Sequence, residues 1–296
     1  MTATRRDFLK HTAGLGLAAV AAGPLASSIL QAAEPEDELS FGLVTYQWGA
    51  DWDVPTLIAN CIKTKVQGVE LRVQHAHKVE PNLNAAERKE VRKRFADSPI
   101  TLVGMGTNAA FHSPKPEEVK KAIEEAKAYV KLSHDVGGSG VKVKPNDLPK
   151  GVPVEKTVQQ IGKALNELGA FAADYGQQIR LEVHGSASRL PVIKQIMDVA
   201  THPNVGVCWN SNKTDLEEPG LEYNFNLVKA RLGKTTHVRT FTSPDYPWPE
   251  LIRLFVKANY RGWILLEAGT KVDDRVQALA EQREMFWEMV RKARAG

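Results

Sequence analysis

Four short stretches of the 296-residue chain end apolar runs on side chains able to bind or move protons. IRLEVHG (179–185) presents Glu182 and His184, GVCWNSN (206–212) presents Asn210, HVRTF (237–241) presents His237 and Arg239, and LLEAG (265–269) presents Glu267. In an extended strand alternate residues share a face, so Arg180, Glu182 and His184 point one way. A charged group on an interior face is costly unless it is paired or bound to metal. Two carboxylates, an imidazole and an amide oxygen (Glu182, Glu267, His237, Asn210) form an oxygen-rich donor set with one nitrogen. Such a set suits Mn²⁺, Mg²⁺, Co²⁺ or Zn²⁺ and no soft thiolate metal. Glu70, Arg72, Gln74, Lys142, Lys144 and Asn146 extend the polar series onto two earlier strands. The competing reading is interior ion pairing, Glu70 with Arg72 or a lysine and Glu182 with a lysine.

Positioning so many groups from different strands requires a closed sheet. Short apolar runs at 41–46, 68–73, 100–105, 140–144, 179–184, 205–209, 236–241 and 263–268 alternate with segments of helical period. NAAERKEVRKRFADS and KPEEVKKAIEEAKAYVKLSHDVG are two such segments, the second opening after a proline and closing at Gly137. A final helix is predicted over roughly 274–293. Eight strands, each followed by a helix, predict one (β/α)8 TIM barrel over residues 38–296. An open doubly wound sheet would carry a Gly-rich phosphate loop after its first strand, where this chain has QWGADWDVP.

Residues 1–37 are set apart. A twin arginine in TRRDFLK precedes an Ala/Gly-rich apolar run, then small residues at Ala32 and Ala33 and an acidic linker. This pattern predicts a bacterial twin-arginine export signal, a periplasmic location, and no stable membrane insertion once the signal is cleaved. The formal charge of +4, from 39 basic and 35 acidic residues, is too balanced for a nucleic-acid partner. Cys61 and Cys208 match no disulfide or metal framework.

The strand-end series LEVHG, GVCWNSN, HVRTF and LLEAG resembles the xylose-isomerase-like barrel superfamily of sugar isomerases, ketose 3-epimerases, dehydratases and metal-dependent apurinic endonucleases. More narrowly, GVELRVQHAHKVEP, GVKVKPNDLP and YPWPEL resemble exported proteins of the sugar phosphate isomerase/epimerase group. The resemblance implies a divalent metal ion held by Glu182, Asn210, His237 and Glu267. It also implies proton transfer through an enediolate by Glu182 and Glu267, on a small sugar or glycoside, in a barrel that is commonly a homo-oligomer. The family's second ligand is an Asp where this chain has Asn210, so the site loses a negative charge and metal affinity falls, unless His184 compensates as a ligand. His184, Arg239, Lys142, Lys144, Asn146, Glu70, His75, His77 and Trp48 are the expected substrate contacts. The lysines and Asn146 would neutralise the enediolate or hold a carboxylate or phosphate, and Trp48, Trp209 and Trp248 would offer sugar-stacking walls. Export favours free or oxidised sugars over phosphorylated ones. A lyase or hydratase acting on 3-keto-glycosides by β-elimination is the first alternative, and a carbohydrate-binding barrel without catalysis the second.

Overall fold

The computed structural model describes residues 39–296; the export signal read at 1–37 lies outside them. Eight parallel strands run in chain order: β1 Ser40–Val44, β2 Gly68–Arg72, β3 Thr101–Ala110, β4 Gly140–Lys144, β5 Gln178–Glu182, β6 Val205–Cys208, β7 Thr235–Val238 and β8 Trp263–Leu266. The helices between and after them are α1 Val54–Thr64, α2 Ala85–Ala96, α3 Pro116–Val136, α4 Val154–Ala173, α5 Leu190–Val199, α6 Leu221–Val228, α7 Trp248–Lys257 and α8 Arg275–Ala295. The strands pair in the order β6-β5-β4-β3-β2-β1-β8-β7. Two isolated bridges, Val207 to Leu232 and Asn210 to His237, join β6 to β7. The molecule is therefore a single (β/α)8 barrel in which the β6–β7 seam is pinned at two points where the other neighbours form ladders.

Local chemistry explains the boundaries. Asn84 caps α2 by accepting from the Ala86 and Glu87 amides, while the Glu87 side chain returns to the Asn84 amide. Helix α3 ends at Gly137, whose φ of 91° turns the chain out of the helix. Gly185 follows β5 with φ 72°, and a Cβ there would overlap the carbonyl of Asn146, so the rim at this point requires glycine.

The main core packs between sheet and helices, with Phe41, Leu57, Phe225, Phe255 and Phe286 among its fully buried side chains. Cys61 and Cys208 are buried and unbridged. A separate apolar group of Val44, Val103 and Leu265 adjoins the charged residues, with Val44 in register with Glu70 and Leu265 with His237. Arg180 is fully buried and donates to Val103 O at 3.2 Å and Ser139 Oγ at 2.6 Å. Its charge is thus absorbed by structural acceptors, which accounts for one of the interior cations without any ligand. Among the described residues no helix is long and apolar enough to cross a membrane.

Candidate metal centre

The charged residues converge on His237. Its register is set where β7 meets the segment after β6: the His237 amide donates to Trp209 O at 2.7 Å. That pairing draws Asn210 alongside it. Glu182 is the last residue of β5, and Glu267 follows directly on β8. Ligand atoms of Glu182, His237 and Glu267 lie within 4.8 Å of one another. His237 Nδ1 is 3.5 Å from Glu182 Oε1 and 3.7 Å from Glu267 Oε2.

The other face of the imidazole is occupied. His237 Nε2 lies 3.0 Å from Glu70 Oε1, both side chains wholly buried. Gly106 makes this approach feasible, since a Cβ there would stand 2.8 Å from Glu70 Oε1. With Nε2–H donating to Glu70, Nδ1 is left over, and it has no hydrogen-bond partner despite complete burial. A carboxylate behind a histidine that aims its free nitrogen at two more carboxylates is the arrangement that orients a metal-binding imidazole. The donors present therefore fit a divalent cation held by His237, Glu182 and Glu267.

Two neighbours temper the charge of the site. Lys142 Nζ lies 2.7 Å from Glu182 Oε2, each side chain 1% exposed, and also donates to Thr107 O at 3.2 Å. Asn210 Nδ2 donates to Glu182 Oε1 at 3.2 Å, so turning its amide would present the oxygen instead. The ion-pair reading of Lys142 and the metal-donor reading of Glu182 hold together, because the lysine takes Oε2, and Oε1, which accepts from Asn210, keeps a lone pair facing His237.

These contacts separate the two glutamates electrostatically. Burial works against the charge of Glu182, but Lys142 and His237 hold its carboxyl well below the ordinary range. Burial and then the charge of Glu182 push Glu267 upward. Burial also opposes the charge of Glu70, yet His237, Lys142 and Arg180 keep it low. For His237, burial disfavours the imidazolium, while Cys208 and Glu70 favour it and raise its pKa well above the usual value, so without a cation Nδ1 carries a proton, and a cation would take that proton's place.

The remaining expected contacts divide into those at the mouth and those committed elsewhere. His184 stands outside the cluster, its Nδ1 3.1 Å from Asn146 Oδ1, and Asn146 adopts a left-handed φ of 63°. His75 rests against Thr45 Oγ1 at 3.3 Å. Lys144 and Arg72 both reach Asn108. Arg239 is tied to Ser211 O and Asp245 and lies over the rings of Tyr246 and Trp248.

Three expectations need correcting. His77 is buried with both ring nitrogens engaged by backbone, Nε2 at 2.7 Å from Arg72 O and Nδ1 accepting from the Val79 amide at 3.0 Å, so it shapes the loop and has no nitrogen left for a ligand. Trp48 is 2% exposed with its indole N–H on Thr270 O, and Trp209 and Trp248 are likewise buried; all three pack, and none forms a wall for sugar. Glu70 stands behind His237, where it orients the imidazole and does not face the mouth.

Asp215 was not singled out by the sequence. It is buried in the loop after β6, where Oδ2 accepts from Tyr246 Oη at 2.6 Å and from the Asn212 amide at 2.9 Å, while Oδ1 has no partner. Burial raises its pKa to about 7. The capping pattern N-x-x-D at 212–215 was the available signal.

The chain belongs to the xylose isomerase-like TIM barrel family, whose model matches residues 58–289. Its fold is shared with L-ribulose 3-epimerase (TM-score 0.74, 13% identity, 87% of this chain and 96% of that one). It is shared too with the 3-keto-D-glucoside 4-epimerase of E. coli (0.71, 13%, 85% and 100%). A third match is a zinc-bound IOLI protein (0.71, 12%, 86% and 99%). No curated protein matches the chain in sequence.

Proposed function

We propose that this barrel is a metal-dependent carbohydrate isomerase or epimerase that acts through an enediolate by proton transfer between two glutamates. The observation that carries the reading is the unpartnered, buried Nδ1 of His237 facing Glu182 and Glu267, with Glu70 fixing the tautomer behind it. A divalent cation bound there supplies Lewis-acid polarisation of the substrate carbonyl.

Glu182 takes the proton from the carbon beside the carbonyl; the C–H electrons form the enediolate double bond and the carbonyl π electrons move onto its oxygen. Glu267, whose Oε2 lies 3.7 Å from His237 Nδ1, returns a proton to the same carbon or its neighbour. Lys142 keeps Glu182 charged and oriented, and Asn210 holds its other oxygen. His184 and Asn146 stand at the rim, where they meet substrate hydroxyls. The twin-arginine pattern of the sequence supports a periplasmic setting for this chemistry.

Solvent deuterium incorporation tests the reading. Mn²⁺-loaded protein should exchange the hydrogen beside the carbonyl of ketoses or 3-keto-glycosides, and Glu182→Gln and Glu267→Gln should each lower the rate at least about a hundredfold. Unchanged exchange in both variants refutes the assignment. Release of an aglycone during exchange identifies the lyase, and protein that retains no divalent metal points to the binding barrel.

A further inference from the structure

We propose that Arg72 and Lys144, joined through Asn108, recognise an anionic group on the sugar, so that the substrate is a sugar acid or sugar phosphate and not a neutral sugar. The inference rests on the isomerase reading of the same site and narrows its substrate class.

Strand geometry brings the three residues together. Arg72 ends β2, Lys144 ends β4, and Asn108 lies between them on β3, which runs on to Ala110 beside Lys144. Arg72 Nη2 is 3.2 Å and Lys144 Nζ 3.4 Å from the same oxygen, Asn108 Oδ1. One neutral amide oxygen thus serves two cations. Neither has a carboxylate partner among the described residues, although even exposed cations such as Lys93 and Lys292 are paired. The Arg72 guanidinium also lies over the Tyr46 ring, 5.3 Å from its centroid, which fixes its plane.

Nearby carboxylates are spent elsewhere. Glu182 is matched by Lys142, and Glu267 faces His237 Nδ1 at 3.7 Å. Glu80 accepts from the Gln74 amide and from Tyr129, and Asp147 faces Asn146, Ser186 and His112. Two partly buried like charges side by side are unfavourable, and burial followed by the charge of Lys142 lowers the pKa of Lys144. A carboxylate or phosphate lying across both nitrogens would relieve that repulsion through charge-assisted hydrogen bonds. Lys144 is two residues beyond Lys142, about 6–7 Å along the strand, so the anion would sit within one sugar's length of the reacting carbon.

Calorimetric titration of Mn²⁺-loaded protein with D-glucuronate, D-ribulose 5-phosphate and D-fructose tests this. At least one anionic ligand should bind about tenfold or more tighter than D-fructose and weaken as salt rises from about 0.05 M to about 0.5 M. Preference for glucuronate identifies a carboxylate, and preference for the phosphate identifies a phosphorylated sugar. Arg72→Gln and Lys144→Gln should each abolish about tenfold of that preference, and Arg72→Lys should restore part of it. D-Fructose binding as tightly as both anions, no binding of either anion, or equal loss for neutral and anionic ligands in folded variants overturns the proposal. A Mn²⁺ titration of the same preparation reports separately on the cation site, so failure of one reading is distinguishable from failure of the other.

Discussion

Replacing Lys142 with Met should make the barrel depend on a divalent cation for its stability. Met is close to Lys in volume and removes only the ammonium, which lies 2.7 Å from Glu182 with both side chains 1% exposed. Glu182 then keeps a buried charge that His237, at 3.5 Å, balances only in part. Breaking one side of a buried pair costs about 3–5 kcal/mol. For a domain of this size each kcal/mol moves the melting temperature by about 2–4 °C, which gives a fall of about 6–20 °C. A cation at about a hundred times its Kd returns roughly 2.7 kcal/mol, and in Lys142→Met it meets a Glu182 whose charge the ammonium no longer offsets. Melting curves in EDTA and in Mn²⁺ are the assay. The variant should fall well below wild type in EDTA and recover a larger increment than wild type in Mn²⁺. Melting within about 1 °C of wild type in EDTA would refute both the ion pair's role and the charge count of the site.

Two further outcomes follow from the same geometry. Glu70→Gln keeps a hydrogen-bond acceptor for His237 Nε2 but removes its charge, so Mn²⁺ affinity by calorimetry should drop about 10–100-fold; an unchanged Kd would make Glu70 a bystander. Asp215 titrates near 7 in the fold against a usual value of 3.8, so the folded state holds its proton more tightly. Stability present below about pH 4 is lost as pH rises toward 7, an effect of about 4 kcal/mol. Asp215→Asn, neutral throughout, should gain on wild type across that window in urea midpoints, and a pH-independent difference would contradict it.

The barrel was legible because its strands are short apolar runs carrying polar residues at one end, and because prolines and glycines such as Pro116 and Gly137 punctuate the helices. Boundaries were less so. Strand β3 was expected to end at 105 but continues to Ala110, since a register shift between Gly106 and Ala110 carries the backbone past its neighbours with no marker in composition. Glu182, His237 and Glu267 were recognisable from their places at strand ends. The duty of Glu70 was not, because the sequence shows that a carboxylate faces inward but not that Gly106 leaves room for it behind an imidazole. His77 misled for a similar reason: a loop histidine reads as a free ligand until the Arg72 carbonyl and the Val79 amide are seen to hold it.

The two bridges across the β6–β7 seam give the barrel a latch. Asn210 and His237 face each other at one of them, so a ligand that grips both sides would brace a seam the two backbone bridges already close.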